Sequence, residues 1–226
     1  MKRMILVVAV LSLVSGLALA QTTEVSSVNV VGYIKVTVPS NGLAFVTVPL
    51  ETLNGSVFTI PSIISNQLPG GSMAYIWDRN SKSYQIESMG RSGWLPGTNR
   101  LYRGDGFWLK GVATTSDYTV TVMGEVPDSI LEMTTTVNNI SSVDAAGYAY
   151  PADVLWTNTT LAKGANSADM IYIWNSTNQT YSIYSIGRSG WNTPADYKIR
   201  AGQAFWYRRG GGGPTNWIET VPYNLH

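Results

Sequence analysis

The 226-residue sequence predicts an all-β protein made of two tandem, pseudo-repeated antiparallel β units, sandwich- or barrel-like, each with at most one short helix. Three observations predict it. Residues 73–94 (MAYIWDRNSKSYQIESMGRSGW) align without a gap on residues 170–191 (MIYIWNSTNQTYSIYSIGRSGW), with 12 of 22 positions identical. Apolar and polar residues alternate with period two in several runs rich in β-branched and aromatic side chains, the mark of half-buried strands. The two copies lie about 100 residues apart, whereas solenoid repeats run about 20 to 50, so the period points to duplication of a whole module.

In order along the chain, Lys2 and Arg3 precede an apolar run and then Ala18-Leu19-Ala20, the pattern of a secretory signal peptide over residues 1–20. A short segment, 21–27, leads into a first unit at 28–126 and a second at 127–226. Ile34, Val36 and Val38 alternate with Lys35 and Thr37, and Val120 and Val122 with Thr119 and Thr121. Both runs read as strands. In IPSIISNQL, Ile60, Ile63, Ile64 and Leu68 share a helical face and Pro61 suits a first turn, which predicts the one clear helix. A shorter counterpart is expected near 152–161. DRNSKS from Asp78 and NSTNQT from Asn175 read as hairpin turns. GDGFWLKG from Gly104 pairs with GQAFWYRR from Gly202, and LAFVTVPL from Leu43 is matched to GYAYPADVLW from Gly147. RRGGGGP from Arg208 is expected to loop before the last strand, its four glycines being costly to order within a strand.

Composition removes whole classes of chemistry. There is no Cys, hence no disulfide, thiolate metal site or cysteine nucleophile. The single His is the last residue, so catalytic triads and multi-histidine zinc sites lack an imidazole. No catalytic residue, metal site or cofactor is predicted. Without Lys2 and Arg3 the chain carries 13 basic and 14 acidic side chains, which gives no electrostatic grip on nucleic acid. No later stretch is long and apolar enough to insert in a membrane as a helix.

Comparing the copies shows which side chains were kept twice. Aromatics and glycines persist (Trp77 with Trp174, Trp94 with Trp191, Trp108 with Trp206), while Asp78 becomes Asn175, Glu87 becomes Tyr184 and Asp105 becomes Gln203. Trp77, Trp108, Trp174 and Trp206 sit in strand patterns and are expected in the core. Two roles are open to the repeated GRSGW. In the first, Gly90 and Gly187 supply a positive φ, Trp94 and Trp191 anchor the loop on the core edge, and Arg91 and Arg188 lie over aromatic faces. In the second, Trp94 and Trp191 stay exposed to stack on sugar rings while Arg91 and Arg188 donate hydrogen bonds. Two equivalent binding sites would follow.

SVNVVGYIKVTVP, LAFVTVPL, the YIWD and YIWN hairpins, GDGFWLK, GQAFWYR and the unit endings GEVPDS and ETVPYN run in that order along the chain. In this it resembles a family of duplicated, secreted, Trp-rich β-proteins of unknown function from Gram-negative bacteria. The resemblance implies export and a duplicated β-fold, and no activity. The function expected is therefore an exported, non-enzymatic structural or binding protein of the cell surface, periplasm or extracellular matrix, with a glycan or another surface protein as partner. Two alternatives stand beside it. One is an enzyme acting on polysaccharide through Asp105, Asp144, Asp153 or Asp196, and the other a self-associating layer subunit joined by strand edges.

Overall fold

The structure, a computed structural model, describes residues 30–53, 57–128, 135–137, 143–211 and 215–223. The signal-peptide reading falls outside them, as do Gly212, Gly213 and Pro214 of the glycine loop. Sixteen short strands and two short helices follow one another among these residues. In the first half come β1 (Val31–Val38), β2 (Leu43–Thr47), α1 (Ile60–Ile64), β3 (Met73–Asp78), β4 (Ser83–Gly90), β5 (Gly93–Leu95), β6 (Gly106–Lys110) and β7 (Tyr118–Glu125). In the second come β8 (Thr135–Val137), β9 (Val143–Gly147), β10 (Val154–Leu155), α2 (Thr160–Lys163), β11 (Met170–Asn175), β12 (Thr180–Gly187), β13 (Gly190–Trp191), β14 (Lys198–Ile199), β15 (Ala204–Arg208) and β16 (Thr215–Trp217). The protein is all-β, its sheets antiparallel throughout.

Two five-stranded sheets dominate, ordered β2-β6-β3-β4-β5 and β9-β15-β11-β12-β13. Each is flanked by a two-stranded ribbon, β1 with β7 and β8 with β16. The strand succession is the same in both sheets. Its registers agree too: Leu43 faces Lys110 across β2 and β6, and Val143 faces Arg208 across β9 and β15. That register corrects the sequence match at one place. The partner of LAFVTVPL starts at Val143 and not at Gly147, because the strand VDAAG buries Ala145 and Ala146 and carries no β-branched alternation to betray it.

The hairpins at 78–83 and 175–180 form as expected, each closed by its first residue. Asp78 Oδ1 accepts from Asn80 N at 2.8 Å, and Asn175 Oδ1 from Thr177 N at 2.9 Å. An amide serves this turn as well as a carboxylate does, so the turn tolerates the Asp-to-Asn difference. Helix α1 is shorter than its apolar pattern suggests. Thr59 and Ser62 form a capping box at its start, and the chain leaves the helix at Ser65, at φ 46°, with Leu68 buried beyond it.

Each half has its own core. Ile34, Val38, Val120 and Val122 of the first ribbon pack on Phe107, Leu109 and the apolar face of α1, which confirms the alternation read from the sequence. Trp156, Phe205, Tyr207 and Trp217 fill the second core. A third cluster, Phe45, Trp108, Ala145, Ala204 and Trp206, belongs to both halves and joins the two sheets.

Candidate functional site

The first candidates to locate are the GRSGW residues. Trp94 is 5% exposed, and its indole N–H donates to Ser65 O at 2.7 Å, at the carbonyl end of α1. Trp191 is half-buried, edge-on to Trp156, and its N–H donates to Ala162 O at 3.1 Å, near the end of α2. Helix ends leave their last carbonyls without intrahelical donors. Trp94 and Trp191 supply such donors, which gives the tryptophan of each pentapeptide the same structural role. Trp94 therefore offers no free ring face to a sugar. Arg91 and Arg188 are exposed at the turns. Among the described residues the cations over rings are instead Lys35 on Tyr33 and Arg103 on Tyr150. The left-handed φ falls on the second glycine of each pentapeptide, Gly93 at 109° and Gly190 at 97°, while Gly90 and Gly187 close strands β4 and β12.

The other tryptophans build the seam between the sheets. Phe45 stacks on Trp108 at 4.2 Å and touches Trp206 at 5.1 Å. Trp77 meets Trp206 edge-on at 5.2 Å, and Trp174 meets Trp108 likewise at 5.3 Å. Trp108 and Trp206 are buried, as expected of core residues. Trp77 and Trp174 are only half-buried, because each hairpin carries its tryptophan across the seam onto the edge strand of the opposite sheet. There Trp174 donates to Leu43 O at 2.8 Å and Trp77 to Asp144 Oδ1 at 3.5 Å.

Behind each hairpin tryptophan lies a polar cleft, at the same place in both halves. The first, about 600 Å³, is lined by Trp77, Asp78, Arg79, Gln85, Asn99, Arg100, Tyr102 and Asp105. The second, about 780 Å³, is lined by Trp174, Asn175, Ser182, Asp153, Asp196, Tyr197, Lys198, Arg200 and Gln203. The loop before β6 or β15 forms one wall and is held in the same way each time. Tyr102 N donates to Asp105 Oδ2 at 2.9 Å, and Arg200 N to Gln203 Oε1 at 3.1 Å. Both volumes fall in the range of small-ligand sites.

No family model matches the chain, and no curated protein or solved structure is similar to it.

The clefts are electrically balanced. Asp78 and Asp105 offset Arg79 and Arg100 in the first, and Asp153 and Asp196 offset Lys198 and Arg200 in the second. Arg79 is paired with Asp105 at 2.9 Å on the floor of the first cleft and also donates to Ala145 O. Burial pushes the Asp105 carboxyl up, against the pull of Arg79 and the Tyr102 N–H. Asp78 is shifted down, chiefly by the Asn80 N–H of its own turn. Of the other candidate acids, Asp144 is fully buried beneath Lys82 at 3.0 Å, and Asp153 accepts from Ala201 N. Among the described residues no three acids or histidines gather closely enough to hold a metal ion, and no helix is long and apolar enough to cross a membrane. Sequence reasoning missed the clefts. The signal available was the pairing of Tyr102 with Arg200 just before each GxG/A-F-W motif and of Asp105 with Gln203 within it, where the polar character persists although the residue type changes.

Proposed function

We propose that this is an exported, non-enzymatic β-protein of the cell surface or extracellular matrix that binds a neutral polysaccharide at two equivalent clefts. The two halves are read as copies of one module. In support of that are the shared strand order, the matching registers and the twin helix-capping tryptophans. Export rests on the pattern of residues 1–20.

The observation carrying the binding reading is the repeated cleft. Each combines a tryptophan, a tyrosine and a balanced set of amide, guanidinium or ammonium, and carboxylate groups. A sugar ring presents apolar C–H faces and many hydroxyls that both donate and accept. Aromatic walls suit the first and mixed polar groups the second. Zero net charge favours an uncharged polymer over an anionic or cationic one. Two sites on one chain would raise avidity for a repeating ligand. The acids of the first cleft are engaged, Asp78 in its turn and Asp105 with Arg79, which argues against the carboxyl pair a glycosidase needs.

Native affinity electrophoresis in gels cast with neutral polysaccharides (dextran, xylan, mixed-linkage β-glucan) or acidic alginate tests this. Retardation by a neutral polymer without release of reducing ends is expected. Tyr102→Ala with Arg200→Ala, both exposed at equivalent positions, should abolish it. Retardation by alginate alone, or retardation indifferent to the double substitution, overturns the assignment; release of reducing ends would favour the enzyme.

A further inference from the structure

At one side of the seam, sharing only Trp174 with the second polar cleft, a cavity of about 500 Å³ opens between β2, β3, β4 and β6 of one sheet and the β11–β12 hairpin of the other. Its walls are Leu43, Tyr75, Trp108, Trp174 and Tyr181, and Lys110 stands at its rim. The rings are set edge to face. Trp108 and Trp174 lie 84° apart in plane, and Trp174 and Tyr181 are 4.8 Å apart at 64°. Such a box is held in shape by its own hydrogen bonds, since Trp174 N–H is bound to Leu43 O and the Tyr181 hydroxyl accepts from Trp206. Among the described residues Lys110 makes no ion pair.

We infer that this cavity binds a small flat aromatic carboxylate, with the ring packed against Trp108, Trp174 and Tyr181 and the carboxylate on Lys110. Aromatic edges and faces at these spacings accept a further ring in stacked or T-shaped contact, which an alkyl chain would not exploit. A nearly apolar pocket offers little to a neutral polar ligand such as a sugar. Its one cation fixes both the sign and the orientation of what enters. The inference does not depend on the polysaccharide reading, because Lys110 and Ile86 line this cavity and neither polar cleft.

The test is calorimetric titration of the purified protein with 2-naphthoate, its neutral isostere 2-naphthamide and the cation 1-naphthylmethylammonium. Naphthoate should bind saturably and tightest, and the ammonium not at all. Lys110→Gln should weaken naphthoate by roughly tenfold, the lower end for a lost hydrogen bond to a charged group, and leave naphthamide unchanged. Ile86→Asp, which places an anion at the cavity mouth on an exposed strand position, should abolish naphthoate binding. Ile183→Asp, at the equivalent exposed position outside the cavity, should not. Retardation in polysaccharide gels should be the same for all three variants. Equal affinity for acid and amide, or no effect of Lys110→Gln or Ile86→Asp in proteins with unchanged near-ultraviolet circular dichroism, overturns the inference.

Discussion

Replacing Trp94 by Phe removes one indole N–H and part of one ring while keeping an aromatic side chain. The side chain is 5% exposed, and its N–H lies 2.7 Å from Ser65 O. Leaving that carbonyl unsatisfied beneath the loop costs about 1 to 3 kcal/mol. The void left by the smaller ring adds about 1 kcal/mol or somewhat more. A loss of about 2 to 4 kcal/mol is expected. For Trp191→Phe the bond is 3.1 Å and the ring half-exposed, so water can replace the donor and about 1 kcal/mol should be lost. Urea denaturation followed by tryptophan fluorescence and circular dichroism reads both, as a fall in midpoint at unchanged slope. The unequal effect is the diagnostic result. If Trp94→Phe fell within 0.5 kcal/mol of the parent protein, the helix-cap explanation of the repeated pentapeptide would be wrong; equal losses at both sites would show that burial does not set the cost.

Two further outcomes follow from packing. Tyr148, Tyr150 and Tyr207 are almost wholly buried and their hydroxyls are pushed up from the usual phenol value, chiefly by desolvation, while Tyr223 is pushed up to about 12. Their folded values exceed the unfolded one, so the stability they contribute is complete below about pH 10 and is lost as pH rises towards their folded values. Tyr148 and Tyr207, the two with the largest upward shifts, each cost on the order of 1 kcal/mol at pH 11, and thermal midpoints measured from pH 9 to 11.5 should fall above 10. A flat profile across that range would contradict their burial. At the seam, a Cβ on Gly147 would lie 2.3 Å from Thr47, so Gly147→Val should force the sheets apart, cost about 1 to 3 kcal/mol, and red-shift the fluorescence of Trp108 and Trp206; an unshifted spectrum would mean that the seam yields without opening.

What the sequence disclosed and what it concealed divide along the range of the interactions. The ribbon of β1 and β7, the two hairpins and α1 are written in local signals: β-branched alternation, a turn-closing Asp or Asn, a helical apolar face with Pro61 in its first turn. Strand β9 has no such signal, since its residues are small or acidic and it is a strand only because β15 pairs with it. The glycine geometry was misplaced by three residues, because GRSGW alone does not say which glycine closes the strand and which turns. Most of the clefts escaped notice because their walls come from the hairpin and from a loop some 20 residues further on. Only the fold makes neighbours of Gln85 and Asp105.

The way the hairpins cross the seam explains how a chain with few charges and many strands guards its edges. An open strand edge invites pairing with another chain. Here the outer edge of β2 is met by the Gln179 side chain, whose amide accepts from Leu43 N at 2.8 Å and donates to Leu43 O at 3.0 Å, as a neighbouring strand would. The edge of β9 is met from the other hairpin by Lys82 on Asp144 and Arg79 on Ala145 O. Further along, Thr47 N donates to Gly202 O and Gly147 N to Gly104 O, both at 2.9 Å, so each edge is sealed by the opposite half. Gln67 does the same within the first half, clasping Thr121 by both backbone groups. Since Trp108 and Trp206 each pack against a tryptophan of the opposite half, a half expressed alone would uncover a tryptophan face and an unpaired edge together. The two halves are therefore bound into one structure by the same contacts that keep their edges closed, and the clefts stand where those crossings leave space.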